Sequence, residues 1–371
     1  MLHTVTLRAV KRLVKPFLIV SGVLLAGLVL LAADVARFAG VFHHFDSRFP
    51  GTCSAVPLAG SSEDLEIDRE RGVAYLSVLD RAALARSEPV NGTLMLLDLN
   101  LAEPAPRAAM AHDPEGFRPY GLSLLRAAGV PARMFALSHR ADGISVVEIA
   151  EQDPGGAFVP RETIGDPAFV QPYSIVAAGP KQFYLANGSG TRTDFQRAME
   201  RIFRRGLATL LYYDGQRATV VDHGIEIATG LALSPDGSRL YLGEELGKRL
   251  RVYRREPATG ALTLEETVPL GSAPGNVDVD ADGVVWIAAH PKLLAFYSHV
   301  WDPAKQAPTM VLRFDPRVRR SDPSEPDPRL TQVYANDGGQ LSGGTVAAHW
   351  RGEFLVGSLL QNKVLICKPK P

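Results

Sequence analysis

Two cysteines in 371 residues, Cys53 and Cys367, are too few for a disulfide-scaffolded fold, and no Cys-x-x-Cys spacing suggests a zinc site. An excess of charge of either sign is missing as well. With 40 basic and 40 acidic residues the formal net charge is zero, so nothing global points to nucleic acid. No GxGxxG, P-loop, HExxH or GxSxG pattern occurs, which removes the common dinucleotide, nucleotide and zinc-hydrolase signatures and counts against a Ser-hydrolase fold. Long apolar runs are absent with one exception. Phe17 to Ala33 is uncharged and follows Arg8, Lys11, Arg12 and Lys15. That length is about the minimum for a membrane span and longer than a typical signal core, and the basic flank stays cytoplasmic. The expectation is an uncleaved anchor over residues 1–40, with residues 41–371 outside the cytoplasm; cleavage after Ala33 is the alternative. Two cysteines near the ends of the remaining chain fit an oxidising compartment, with two unrelated buried thiols as the alternative.

What the chain does have is repetition. Six times an apolar strand start is followed by a Gly- or Asp-bearing turn and a second apolar strand with an aromatic near its centre: Tyr75, Phe135, Tyr184, Tyr241, Trp286 and Phe354. The sharpest copies turn on Asp236-Gly237 and Asp282-Gly283, hairpin signals flanked by alternating apolar residues. Successive aromatics lie 60, 49, 57, 45 and 68 residues apart, room for four short strands per unit. The fold class is therefore all-β, a six-bladed β-propeller, and the ring of repeats overrides the length prior for two domains.

A closed ring sends equivalent positions to one central channel. The pairs just before each repeat's first strand are Glu63-Asp64, Tyr120-Gly121, Tyr173-Ser174, Thr229-Gly230, Gly275-Asn276 and Gly344-Thr345. Two carboxylates, a carboxamide and several hydroxyls then meet at one mouth with no Lys or Arg among them. Such a set suits a hard cation such as Ca²⁺. The plainer reading is a row of turn residues, or a hydrogen-bonded polar plug.

These residues carry a resemblance. Cys53, the run Gly60 to Ile67 containing Glu63-Asp64, Phe117 to Ser123, Ile175 to Pro180, Gly230 to Gly237, Ala289-His290-Pro291 and the terminal Cys367 together resemble the paraoxonase/arylesterase family of gluconolactonase-like propellers. The resemblance implies a propeller closed by a Cys53–Cys367 disulfide, two channel calcium ions, and hydrolysis of lactones, aryl esters and sometimes phosphotriesters. On its pattern Glu63 and Asn276 stand at ligands of the catalytic calcium, while Tyr173 and Thr229 replace Asn and Gly275 replaces Asp. For the structural calcium Asp64 and the Leu122 carbonyl are kept, and Ser174 replaces Asp. His139 stands at the second member of a proton-transfer His pair whose first member is replaced by Tyr120. Hydroxyls of Thr229, Tyr173 and Ser174 are the available substitutes in a thinner metal shell. At Ala289-His290-Pro291 an orienting hydrogen bond from His290 is expected.

One segment breaks the β rhythm. Phe195, Ala198, Met199, Ile202 and Phe203 share a helical face, with arginines around the rest. Packing of that face over the channel mouth is the favoured expectation, and an interfacial helix on an anionic membrane is the alternative. The leading functional expectation is a membrane-anchored hydrolase of small esters or lactones, in which a cation held by Glu63 and Asn276 polarises the carbonyl while His139 serves a bound water. A non-catalytic propeller binding a small molecule or protein is the second, and a strictosidine-synthase-like propeller the third.

Overall fold

The structure, a computed structural model, describes residues 2–127, 129–320, 322 and 324–370, with side chains from residue 17 onward. Six antiparallel blades follow one another around an axis. Their innermost strands are Ser61–Asp68, Pro119–Leu125, Pro172–Ala177, Ala228–Leu233, Ala273–Val279 and Gly344–Trp350. The six repeat aromatics all fall on the second strands and are buried, because there each side chain faces a neighbouring blade rather than water. Apolar layers fill the gaps between blades. Val252 of the fourth blade joins Ile287 of the fifth in one cluster, and Phe135 of the second meets Phe183 of the third edge to face at 6.1 Å.

The ring closes through its own termini. Gly51–Pro57 adds as the outermost strand of the sixth blade, antiparallel to Lys363–Pro369, in a register that sets Cys53 opposite Cys367. These two cysteines form a disulfide across 314 positions of sequence.

Helices punctuate the sheet at three places on the channel-mouth side: α2 (Arg81–Ala85), α3 (Asp194–Ile202) and α4 (Leu293–Trp301), after the N-terminal α1 (Leu2–Phe38). Phe17–Phe38 is long and apolar enough to cross a membrane, with mean hydropathy 2.5 and none of it buried against the propeller. The end of α1 nevertheless touches the ring. Arg204 pairs with Asp34 at 2.7 Å, and Lys248 donates to the Phe38 carbonyl at 2.6 Å.

The channel pairs sit elsewhere than the sequence pattern placed them. They lie within the innermost strands, not before them, and in every blade the pairing register with the second strand slips there: between Ser62 and Leu65, Pro119 and Leu122, Pro172 and Ser174, Ala228 and Leu231, Pro274 and Val277, and Gly344 and Val346. A bulge turns side chains out of the regular alternation. Six such irregularities aim one or two residues per blade at the axis. Glycine within them lets blades approach: a Cβ on Gly230 would lie 2.3 Å from the Val277 nitrogen, and one on Gly275 2.7 Å from the Thr345 carbonyl oxygen.

Candidate functional site

At the axis Glu63 of the first blade meets Asn276 of the fifth and Thr345 of the sixth. Asn276 Nδ2 donates to Glu63 Oε1 at 2.9 Å and to its carbonyl at 3.1 Å, and the Thr345 hydroxyl donates to the same carbonyl at 2.7 Å. Glu63 is only 5% exposed, and its Oε2 has no hydrogen-bond partner among the described residues. Burial, reinforced by neighbouring Asp64, pushes the Glu63 carboxyl well above the usual carboxylate range; the Arg81 charge and the Asn276 hydrogen bond oppose this.

Asp64 points away from the cavity and ties blades together. Its Oδ2 accepts the Leu122 amide of the second blade at 2.8 Å and its Oδ1 the Leu65 amide at 2.9 Å. Burial raises its pKa, against the pull of these two amides. Ser174 has the matching task two blades on, accepting the Leu231 amide at 3.0 Å. Asp64 and Ser174 thus both serve as side-chain acceptors for an amide of the next blade, a link that needs one oxygen and no charge.

A cavity of about 160 Å³ opens over Glu63, lined by Tyr120, Tyr173, Thr229, Gly275, Asn276 and Thr345 from the ring, with Arg201, Glu245, His290, Phe296, Tyr297, Val300 and Leu359 around them. The Thr229 hydroxyl is committed to the Gly243 and Pro274 carbonyls at 3.1 and 3.2 Å. Tyr173 receives Arg201 Nη2 on its hydroxyl at 3.0 Å. His139 is not among the lining residues. It stands behind Tyr120, ring edge to ring face at 5.0 Å, with Nδ1 against the Ser145 hydroxyl at 3.0 Å. Burial, then the Arg81 charge, lowers its pKa to about 4, so it is neutral at physiological pH. Tyr120 does line the cavity, and burial beside Glu63 lifts its phenol well above the ordinary value. His290 stacks on Phe296 at 3.7 Å; burial takes its pKa to about 3, and its Nδ1 has no partner among the described residues, so the expected orienting bond is not made through that nitrogen.

Residues outside the repeat pattern complete the site. Arg81, first residue of α2, is buried, donates to the Ser61 and Pro119 carbonyls at 3.1 and 2.7 Å, and lies 5.4 Å from the Tyr120 ring centre. Arg201 comes from α3. That helix begins at Thr193, whose side chain caps the Gln196 amide at 3.3 Å, and it is seated by buried Glu200 rather than by its apolar face. Phe195 is 72% exposed and Phe203 55%, so the favoured expectation of apolar packing over the mouth is wrong. Two polar demands outweighed it: Glu200 is bonded to Ser189 and Thr191, and Arg201 to the phenols of Tyr173 and Tyr297. Spacing alone reveals a helix's apolar stripe but not which stripe faces inward.

Comparison with known proteins agrees with this architecture. The arylesterase family model matches residues 60–368. Human serum paraoxonase/arylesterase 1 is 28% identical over 317 residues, covering 83% of this chain and 85% of that protein. Rat serum paraoxonase/lactonase 3 is 26% identical over 330 residues, 86% of this chain and 89% of the relative. The solved luciferin-regenerating enzyme superposes with a TM-score of 0.50 at 13% identity, over 86% of this chain and 95% of its own, a likeness of fold. With the propeller, its terminal disulfide and a match across nearly all of the ring, the chain belongs to the arylesterase family.

Proposed function

We propose that the axial cavity hydrolyses small esters or lactones and that Glu63 handles the proton. One observation carries this reading: Glu63 lines the cavity with Oε1 held by Asn276 and Oε2 unpaired, and its pKa is moved toward neutrality, where a carboxyl is an efficient acid–base group. As an anion it takes a proton from a water whose oxygen adds to the substrate carbonyl carbon, and the carbonyl π pair moves onto oxygen. When the tetrahedral species collapses, the bond to the leaving oxygen breaks and Glu63 returns the proton to it. Relatives named as arylesterases and lactonases support the same reaction class.

The residues present do not fit the catalytic calcium that the resemblance implies. A calcium ion takes about six to eight oxygens. Of the five side-chain positions assigned to it, only Glu63 and Asn276 keep the ligand type: Gly275 has no side chain, the Tyr173 hydroxyl accepts from the Arg201 guanidinium, a cation where the ion would need an anion, and Thr229 offers a neutral hydroxyl whose proton is directed at the Gly243 and Pro274 carbonyls. No group of three or more His, Cys, Asp or Glu that could hold a metal ion occurs among the described residues. Tyr120 is placed as a wall of the substrate site, and neutral His139 as the ring that fixes it.

Residues 1–40 act as the anchor and 41–371 as the working domain, outside the cytoplasm. In this reading the cavity mouth lies toward the bilayer, which is supported by the contacts of Arg204, three residues after the cavity-lining Arg201, and of Lys248 with the end of α1, and by the exposure of Phe195, Phe203 and Trp301. Assay of phenyl acetate and γ-butyrolactone with the full-length protein in detergent tests the activity. No turnover of esters or lactones, with or without added Ca²⁺, would leave a binding propeller in its place.

A further inference from the structure

The cavity has a charged wall that ring symmetry does not foresee. Arg201 Nη2 donates to the Tyr173 hydroxyl at 3.0 Å and Nε to the Tyr297 hydroxyl at 3.3 Å, with the guanidinium 5.6 Å from the Tyr297 ring centre. Tyr297 in turn donates to buried Glu245. Two of the five N–H groups are thereby fixed, and the rest have no partner among the described residues. The two phenols orient the fork, and Glu245 keeps the region electrostatically balanced, so the guanidinium is held in place and stays charged. Tyr173, which it grips, stands where the resemblance puts an amide ligand of the cation.

We propose that Arg201 is the resident cation of the channel mouth and receives an anionic ligand oxygen there in place of a metal ion: the carboxylate of an apolar monocarboxylic acid and, resting on the hydrolase reading, the oxyanion formed when the ester of such an acid is attacked. A planar guanidinium matches a carboxylate through paired hydrogen bonds. Apolar walls at Phe296, Val300 and Leu359 suit an acyl or aryl group rather than a sugar. Glu63 and Arg201 line the same space, so a carbonyl between them has a base for water on one side and a cation for its oxygen on another.

The test uses full-length protein in detergent micelles with EDTA, titrated calorimetrically with benzoate and assayed on phenyl acetate. Wild type is expected to bind benzoate and to hydrolyse the ester without metal. Arg201→Met should weaken benzoate binding at least about tenfold and lower kcat about a hundredfold, the loss typical of one oxyanion donor; Arg201→Lys, which keeps the charge without the fork, should retain part of both. Melting curves check folding, and should the Met variant not fold, benzoate affinity unchanged in Arg201→Lys overturns the proposal. So does wild type that binds no benzoate, benzoate affinity unchanged in Arg201→Met, or hydrolysis that requires added Ca²⁺ and survives in Arg201→Met. Benzoate binding that depends on Arg201 in a wild type with no esterase activity upholds the carboxylate receptor and removes the hydrolase reading alone.

Discussion

Asn276 donates its amide to Glu63 across the ring at 2.9 Å, joining residues 213 positions apart in sequence. The bond fixes the carboxyl's rotamer and leaves Oε2 as the unpaired buried oxygen at the cavity floor. A group so constrained is a poor structural strut and a good acceptor for a transient proton donor such as a bound water.

Glu63→Gln should therefore lower ester or lactone hydrolysis by about a hundredfold or more, the range for loss of a general acid–base group. It should leave melting temperature unchanged or raised at pH 8, because it removes a buried charge that desolvation opposes. Activity retained within a factor of two, in a variant that melts normally, would exclude Glu63 from the chemistry.

Stability should peak on the acid side of neutrality, and two sets of buried groups set its flanks. Glu63 and Asp64 have folded pKa values raised above their unfolded ones, so the folded state holds more protons; their contribution is full below the ordinary carboxylate pKa and is lost as pH rises through neutrality. His139 and His290 are lowered to about 4 and about 3, so their contribution is full above the ordinary His pKa and is lost as pH falls toward those values. Melting temperature across pH 4 to 9 measures both slopes. The alkaline decline should flatten in Glu63→Gln, and an unchanged slope would show that another group governs it.

The blades, their order and their closure were readable because each rests on a local pattern: an Asp-Gly hairpin, an alternating strand, an aromatic at a fixed place. The axial residues Glu63, Asn276, Thr229 and Thr345 were readable because a ring converts equivalent positions into neighbours. Arg201, Tyr297 and Glu245 were not: α3 and α4 are inserted between the second and third strands of the third and fifth blades, outside the hairpin that repeats, and Glu245 follows the second strand of the fourth blade, where the repeat pattern assigns no axial position. Nor was the crowding at Gly275. From sequence it marks a lost carboxylate, yet the Thr345 carbonyl leaves no room for a Cβ, so Gly275→Asp should destabilise the ring rather than restore a ligand.

The disulfide should matter to the whole ring rather than to one edge. Cys53–Cys367 encloses a loop spanning 314 positions, for which chain entropy gives about 5 kcal/mol. Spread over a domain of this size, that corresponds to a melting temperature lower by about 7 °C in the double variant Cys53→Ala, Cys367→Ala. Thermal denaturation of oxidised, reduced and doubly substituted protein checks it, and coincident curves would show that strand pairing alone closes the propeller.

The outward face of α3 makes the last prediction. Phe195 and Phe203 on or beside this helix and Trp301 at the end of α4 are exposed by 72, 55 and 89%, large apolar groups that a soluble surface seldom gathers. Phe203 adjoins Arg204, which pairs with Asp34 near the end of α1, and Arg197, Arg201, Arg204 and Arg205 lie on or just after the helix that carries Phe195. An apolar face rimmed by cations is the composition of a helix at a bilayer interface. Protein lacking residues 1–36, which contain no strand of the propeller, should still bind vesicles containing anionic lipid. Binding should weaken as salt rises, since a screened attraction contributes, but not vanish, since insertion of the aromatics is indifferent to salt. Phe203→Asp with Trp301→Asp should abolish it while leaving the melting temperature within a degree or two, because neither side chain is buried. Vesicle co-sedimentation decides the matter: a truncated protein that stays in the supernatant at low salt would confine membrane attachment to α1.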